Sequence, residues 1–161
     1  MTPNVAIVGI AESDLGTTDK NRFQLQAQAI LGALEDAGLS LSDVDGLATN
    51  GLSRFSVSSM AEYLGIYPTW TDSTFAGGAS YEIFLAHATE AIRSGQCEIV
   101  VISYGSNQRS ARSRQIGGVQ DPDSPEAQYE IPFGPLSPIS MYAMAAQRHM
   151  YEFGTTPEQL A

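Results

Sequence analysis

The chain contains few of the residues and segments that would narrow its class at once. It has one cysteine in 161 residues, and only 16% of its residues are charged. A single cysteine cannot form an internal disulfide, which is typical of a reducing compartment and predicts a cytoplasmic location. No apolar run approaches the roughly 20 residues needed to cross a bilayer. The start, Met1-Thr-Pro-Asn, also lacks the basic region and long apolar run of a signal peptide.

Basic residues are scarce, and this scarcity excludes several kinds of partner. The chain has 8 basic and 18 acidic residues, for a net charge of -10 at pH 7. Such a balance argues against nucleic acid or an anionic membrane as a partner. No spacing of His, Cys or Asp suggests a metal site, and the pair Gly77-Gly78 lacks the other features of a dinucleotide fingerprint. We therefore expect neither a metal nor a tightly bound cofactor.

What the chain does contain is an alternation of apolar segments. The run Val5–Ile10 predicts a buried strand, and apolar spacing from Phe23 to Ala37 predicts a helix that ends at Gly38. Further segments are a short strand near residue 48, a helix at 56–64, a strand near 71–75, a helix from about 77 to 94 and a strand at 98–103. Strand–helix–strand alternation favours a layered α/β fold.

The texture of the sequence changes after residue 106. Residues 107–136 show little periodicity, which is typical of a functional excursion or a disordered segment. A helical pattern returns at residues 137–151. Another helix start, at Thr156 and Pro157, comes a few residues before the last residue of the chain. We predict a core at 1–106 and an incomplete excursion at 107–161, and we expect a fragment or one part of a split protein.

Several strings occur in an order that resembles the thiolase superfamily, especially its sterol-carrier-protein-type thiolase and lipid-transfer-protein branch. The strings are Val5–Gly16, Ala33–Leu39 with Asp43–Gly46, Gly77–Ser80, Ala91–Gly95 with Glu98–Ser103, and Tyr142–Ala161. The resemblance implies an α/β thiolase-like layered fold, of which this chain supplies the N-terminal βαβαβ half and part of the loop domain. It also implies that the catalytic Asn and His motifs and a second cysteine belong to a half that is absent from this chain.

The position that corresponds to the family's nucleophilic cysteine is occupied by Gly78. Claisen-type thiolases hold the acyl group on a thiolate at a helix N-terminus, where the thiol pKa is lowered. Glycine offers an N–H donor but no point of covalent attachment. The resemblance therefore assigns no catalytic residue to this chain. It implies a substrate-binding, oxyanion-stabilising region at Gly77, Gly78, Ala79 and Ser80, and either an acyl-pocket wall or ordinary packing for Phe153.

The same resemblance implies a function. It points to retro-aldol carbon–carbon cleavage of a β-hydroxyacyl-CoA, with a steroid side chain as the candidate acyl group. Coenzyme A is then part of the substrate. The expected partners are a second copy of the chain, paired through the strand near Thr71–Phe75, and a small acyl-CoA-binding protein with an OB fold. The alternatives are a thiolase-type acyl-CoA acyltransferase and a non-catalytic thiolase-like subunit of a complex.

Five other side chains have both a chemical and a structural interpretation. Ser80 could replace the missing nucleophile, although a serine beside a helix start more often caps the helix. Cys97, at a strand entrance, is expected to be a small buried hydrophobe. For His87, a surface or core role is favoured over a role as a catalytic base. Tyr81 and Tyr104 are either hydrogen-bond donors in a pocket or packing residues.

Overall fold

A computed structural model of the chain describes residues 4–112, 123–134 and 138–160. They divide between two compact units, Met1–Arg112 and Ser113–Ala161. The first unit contains α1 (Arg22–Ala37), β1 (Gly46–Ala48), α2 (Ser56–Leu64), β2 (Trp70–Asp72), α3 (Ser80–Arg93), β3 (Val100–Ile102) and α4 (Gln108–Ala111), with a 3₁₀ turn at Leu41–Asp43. The second contains α5 (Pro125–Tyr129), a 3₁₀ turn at Ile131–Phe133, α6 (Pro138–Phe153) and α7 (Pro157–Leu160).

The three strands of the first unit form a parallel sheet with the order β2-β1-β3. Gly46 of β1 is paired with Trp70 on one side and with Val100 on the other. The connection through α2 moves in one direction along the sheet, and the connection through α3 moves back across it. Because such crossovers are right-handed, the two helices are expected on opposite faces of the sheet.

The core lies between the sheet and the helices α1 and α2. Its buried cluster joins Ile30 and Leu34 of α1, Leu47 of β1 and Met60 of α2, and Leu47 and Met60 are completely buried. Side chains alternate along a strand, so the small neighbours of Leu47 in β1 face the other side of the sheet. The buried residues of α3, which include Phe84, lie outside this cluster, as expected for a helix on the second face.

Local signals explain why the sequence predicts the first two helices well. The side chain of Asn21 accepts a bond from the amide of Gln24, whose own side chain accepts one from the amide of Asn21, which is a capping box. Gly38 and Gly65 end α1 and α2 in the left-handed conformation, with φ of 70° and 69°. Both helices therefore end at the glycine that the sequence indicates.

The prediction of a buried strand at Val5–Ile10 is wrong in this structure. The segment belongs to no strand, and Ile7, Val8 and Ile10 are 70%, 65% and 76% exposed. It instead follows the outer side of α1, where the Ile10 amide donates to Asp36 Oδ2 over 3.0 Å. A Cβ built on Gly9 would be 2.1 Å from the Ala33 carbonyl oxygen, so glycine is required for this approach. An apolar run indicates that a segment can be buried. A strand also needs a neighbouring strand to pair with, and the run does not identify one.

The other strands are shorter than predicted. The pairing near 71–75 covers Trp70–Asp72, and the pairing within 98–103 covers Val100–Ile102. In the second unit, α6 confirms the helix predicted at residues 137–151. At α7, the Thr156 amide donates to Gln159 Oε1 over 2.9 Å, a bond typical of a helix start. Within residues 4–112, 123–134 and 138–160, no helix is both long and apolar enough to cross a membrane.

Asp45, the residue directly before β1, connects the amino ends of all three strands. The carboxylate of Asp45 accepts hydrogen bonds from the amides of Glu98 and Ile99, at 2.8–3.0 Å, just before β3. Its carbonyl oxygen accepts from the amides of Thr69 and Trp70, at 2.8 and 3.1 Å, where β2 begins. Asp45 therefore fixes where both neighbouring strands start relative to β1.

We predict that Asp45→Ala lowers the free energy of unfolding by about 2–3 kcal/mol. The reason is that the partly buried carboxylate loses the hydrogen bonds donated by the backbone amides of Glu98 and Ile99. Urea unfolding followed by circular dichroism measures this loss. Asp19→Ala, at an exposed aspartate, is the control and should change the stability by less than about 0.5 kcal/mol. Equal stability of the two variants would contradict the anchoring role.

Candidate functional site

Polar residues follow each strand of the sheet at its carboxyl end. Thr49 and Asn50 follow β1, Thr74 lies two residues after β2, and Ser103 and Tyr104 follow β3. Because the strands are parallel, these residues meet at one edge of the sheet, where open α/β sheets bind their ligands. The segment that leads into α3 lies at the same edge, since Asn50 is hydrogen-bonded to residues on both sides of it.

The segment Gly77–Ser80, called here the glycine loop, has the features of a backbone binding surface. Gly77 has φ of 62°, which a side chain would strain, whereas Gly78 has no positive φ. Within the described part of the chain, no heavy atom lies within 4 Å of a Cβ built on Gly78. Among these residues there is space for a larger side chain at Gly78, and the backbone conformation does not require glycine there.

The start of α3 has no side-chain cap, although the N–H of Ser80 is paired with the Gly77 carbonyl at 3.3 Å. The N-cap position is Ala79, whose side chain cannot accept a hydrogen bond. The first N–H groups of a helix have no partner within the helix and favour negative charge. Glu82, which is exposed in the first turn, already supplies a negative charge there and weakens the attraction for a bound anion. The oxyanion-stabilising role of this helix start stays a prediction, and Glu82 prevents the start from being a strongly positive site.

The hydroxyl of Ser80 is already used by the glycine loop. Ser80 is completely buried; its Oγ accepts from the amide of Ala76 at 2.9 Å and donates to the Gly77 carbonyl at 2.8 Å. Ser56, the first residue of α2, makes the same pattern with Leu52 and Ser53. Ser80 is thus the first residue of the helix and not its N-cap, and its contacts are those of a structural serine.

A hydrogen-bonded chain connects β1 to both sides of the glycine loop. Asn50, which is 7% exposed, donates from Nδ2 to the Thr74 carbonyl at 3.0 Å, and its Oδ1 accepts from the Tyr81 hydroxyl at 2.9 Å. Burial, and then the neighbouring Tyr104, raise the pKa of Tyr81 to about 12. The ring of Tyr104 lies 5.4 Å from that of Tyr81 in an edge-to-face arrangement. Tyr81 thus both donates and packs, and Tyr104 packs.

A second buried polar group lies beside the first. Gln26 of α1 is completely buried, and its Oε1 accepts from the hydroxyls of Thr49 at 3.3 Å and Ser103 at 3.2 Å. Its Nε2 has no hydrogen-bond partner among the described residues. A Cβ built on Gly105 would be 2.5 Å from Gln26 Cγ, so the chain after β3 packs directly on α1.

A carboxylate–imidazole pair lies along the outer edge of β2. His87 Nδ1 is 2.6 Å from Asp72 Oδ2, with the two side chains 50% and 11% exposed. Burial would raise the pKa of Asp72, but hydrogen bonds from His87 and from Thr74 outweigh it and lower that pKa. The pair lines an open groove of about 420 Å³ with Trp70, Thr71 and Glu90. The groove does not include the glycine loop, so His87 is a surface histidine paired with Asp72.

Cys97 is 3% exposed, which confirms the prediction of a small buried hydrophobe. Burial, and then the nearby Asp45, raise the pKa of its thiol. A raised pKa disfavours the thiolate, which is the nucleophilic form. The burial and raised pKa of Cys97 are those of a structural cysteine and not of a nucleophile.

Phe153 belongs to the second unit, where it is 70% exposed and its ring lies 4.8 Å from that of His149. His149 Nδ1 also lies 3.0 Å from the hydroxyl of Thr155. The role of Phe153 as an acyl-pocket wall stays a prediction. Among the described residues, no group of three or more His, Cys, Asp and Glu side chains could hold a metal ion.

Two residues of the site, Asn50 and Gln26, were missed from the sequence, as was Asp72 of the separate groove along β2. Asn50 could have been found, because it follows a short apolar strand and polar residues at carboxyl ends are frequent site residues. Glutamine is an ordinary residue in a helix, so the sequence gives no sign that Gln26 is buried. Its burial follows from the packing of Gly105 against α1. Asp72 gains its significance from His87, 15 residues away.

Sequence comparison aligns nearly the whole chain with several known proteins. It is 33% identical over 95% of its length to a steroid side-chain-cleaving aldolase of Thermomonospora curvata. It is 32% identical over 97% to 17-hydroxy-3-oxo-4-pregnene-20-carboxyl-CoA lyase of Mycobacterium tuberculosis, and 32% over 98% to an acetyl-CoA acetyltransferase of Methanothermobacter thermautotrophicus. The chain spans 41–42% of the length of these three relatives. No family model matches it.

Solved structures agree with the sequence comparison. The Ltp2-ChsH2(DUF35) aldolase superposes with a TM-score of 0.75 at 33% identity, covering 94% of this chain and 39% of that one. A monomeric SCP2-thiolase-like protein of Mycobacterium smegmatis superposes with a TM-score of 0.50 at 22% identity, covering 60% of this chain and 22% of that one. The predicted resemblance and the thiolase-like α/β fold are therefore confirmed.

We predict that Ser80→Ala lowers the free energy of unfolding by about 1–2 kcal/mol, because a buried hydroxyl that makes two hydrogen bonds is removed. Ser56→Ala should cost a similar amount, since Ser56 makes the same contacts at α2. Ser58→Ala, at an exposed position of α2, should be close to neutral. A neutral Ser80→Ala variant in urea unfolding would contradict the structural role of this serine.

We also predict a pH-dependent contribution from Asp72. Because its pKa is lowered in the folded chain from the ordinary 3.8, its bonds stabilise the fold above that pH. The contribution is lost as the pH falls through the lowered pKa. Asp72→Asn should therefore reduce the unfolding free energy by about 1 kcal/mol at pH 7 and have little effect near pH 2. A stability difference that persists unchanged at low pH would refute this assignment.

Proposed function

We propose that this chain, a homologue of steroid side-chain aldolases with the thiolase-like fold, forms part of an acyl-CoA carbon–carbon lyase. The observation that carries the proposal is Gly78, which stands at the position of the thiolase nucleophile although the backbone has room for a side chain. Ser80 is buried and hydrogen-bonded within the loop, and Cys97, 19 residues after Gly78, is buried with a raised thiol pKa. A reaction without a covalent acyl-enzyme is the one that such a site supports.

Retro-aldol cleavage of a β-hydroxyacyl-CoA meets this condition. A base removes the proton of the β-hydroxyl, the β-carbon becomes a carbonyl, and the bond between the α- and β-carbons breaks. The electron pair of that bond goes to the α-carbon as a thioester enolate, which is then protonated. The reaction needs a base and stabilisation of an oxyanion, and it needs no acyl-enzyme.

The glycine loop would supply part of that stabilisation. The backbone N–H groups where the loop enters α3 have no side-chain cap, and backbone donors held in place before the reaction stabilise charge as it develops. The absence of a side chain at Gly78 leaves room for the thioester close to the backbone. We place the base outside this chain, in the half that the family resemblance implies is absent from it.

The proposed partners follow from the edge of the sheet and from the relatives. β2 is an outer strand, and Tyr67 and Phe75 on either side of it are 95% and 77% exposed. An open strand edge with exposed aromatic residues suits pairing with a second copy of the chain. One solved relative is named for two components, Ltp2 and ChsH2(DUF35). We propose that a small acyl-CoA-binding protein, expected to have an OB fold, acts with this chain as well.

A second candidate function is acyl transfer from acyl-CoA. The relative named acetyl-CoA acetyltransferase is 32% identical, nearly as similar as the two named aldolase and lyase. Such chemistry would need a nucleophile from another chain or from residues beyond these 161. The hydrogen bonds of Ser80 and the burial of Cys97 make lyase chemistry the better supported of the two.

The deciding experiment uses the complete protein that carries this chain, incubated with a β-hydroxyacyl-CoA whose β-carbon bears a steroid ring. We predict release of a ketone or aldehyde and a shortened acyl-CoA, detected by liquid chromatography and mass spectrometry. No acyl group should remain on the protein. A stable adduct on any residue, found by intact-protein mass spectrometry, would reject the lyase and favour the transferase.

Gly78→Cys provides the matched control for this experiment. The variant restores the thiol of a thiolase at a position with space for it. In a lyase it should not increase cleavage, because no step uses a covalent intermediate. A variant with faster product release and an acyl group on the introduced thiol would indicate a transferase that had lost its nucleophile.

A further inference from the structure

We propose that Asn50 is a positioning residue that, through Tyr81, holds the glycine loop at the carboxyl edge of the sheet. The description of that loop as a substrate-binding surface rests on the proposed function. The geometry of Asn50 does not, since it depends on the hydrogen bonds of residues that the structure describes.

The orientation of the Asn50 amide is determined by its partners. The Thr74 carbonyl can only accept, so the nitrogen of the amide must face it, at 3.0 Å. The oxygen then faces Tyr81, whose hydroxyl must donate across the 2.9 Å that separates them. With a pKa near 12, Tyr81 keeps its proton throughout the neutral range and remains a donor. The two bonds therefore require an amide at position 50.

These two bonds lie on both sides of the glycine loop. Thr74 lies three residues before Gly77, and Tyr81 directly follows Ser80. Within the described residues, the side-chain bonds of Thr74 and Ser80 stay between residues 72 and 80. Those bonds shape the loop, whereas the bonds of Asn50 join it to the end of β1.

The ring of Tyr81 makes the connection rigid. It meets the completely buried Phe84 edge-to-face at 5.6 Å, and it meets Tyr104 at 5.4 Å. A partly buried ring that makes two ring contacts and has a satisfied hydroxyl has few alternative positions. Loss of the hydroxyl leaves the ring packed but leaves the oxygen of Asn50 without its donor. Tyr81→Phe therefore tests the hydrogen bond separately from the packing.

Gly78→Cys, in the full 161-residue chain, provides a reporter that needs no enzymatic activity. The rate of reaction of the introduced thiol with iodoacetamide is measured against pH to obtain its apparent pKa. A thiol held at a helix start should titrate below the ordinary value of about 8.5. Adding Tyr81→Phe or Asn50→Ala should raise this pKa by about half a unit, because the thiol is held less closely to the N–H groups of α3.

Tyr104→Phe is the matched control, since it removes the same group from a neighbouring ring that is 58% exposed. It should leave the pKa of the introduced thiol unchanged. An unchanged pKa in Tyr81→Phe overturns the proposal. A raised pKa of the introduced thiol that is accompanied by faster modification of buried Cys97 also overturns it, because this result indicates general unfolding. Lyase activity is measured separately, so a protein with the thiol shift but no cleavage rejects the proposed function alone.

Discussion

The hydrogen bonds of Asp45 set the geometry on which the rest of the first unit depends. Each strand has only three residues, so the ladder itself offers few bonds to define the register. Asp45 adds bonds from its carboxylate to Glu98 and Ile99 and from its carbonyl to Thr69 and Trp70. With the amino ends aligned, three strands of equal length also end together. The polar residues that follow them meet at one edge for this reason.

The sequence predicts the local elements of this structure well and their pairing poorly. The helix at Ser56–Leu64 begins and ends at the predicted residues, and α1 differs by one residue, because caps and periodicity act over a few positions. Val5–Ile10 has the composition of a buried strand and lies exposed along α1. Strand formation depends on a neighbour far away in the chain, and hydrophobic composition does not identify that neighbour.

The candidate site divides in the same way. The glycine loop at Gly77–Ser80 could be recognised from the sequence, since resemblance and composition both mark it. Its attachment could not, because Asn50 lies 24 residues from Thr74 and 31 from Tyr81. Ser80 shows the limit of an isolated residue as a signal: a serine beside a helix start is compatible with a cap, a nucleophile or a loop brace. Its burial and its two bonds decide for the brace.

Gly78 differs from other glycines of the chain in the space around its Cα. A Cβ at Gly46 would come within 2.6 Å of Val100, and one at Gly105 within 2.7 Å of the Arg22 carbonyl, so close packing requires glycine at both. Gly78 has neither such a neighbour among the described residues nor a positive φ. Within the described residues, backbone strain and crowding therefore do not account for a glycine at this position. The proposed lyase accounts for it, since backbone N–H groups would be needed at the start of α3 and a nucleophile would not. That combination suits a reaction in which an oxyanion must be stabilised and no acyl group is held by the protein.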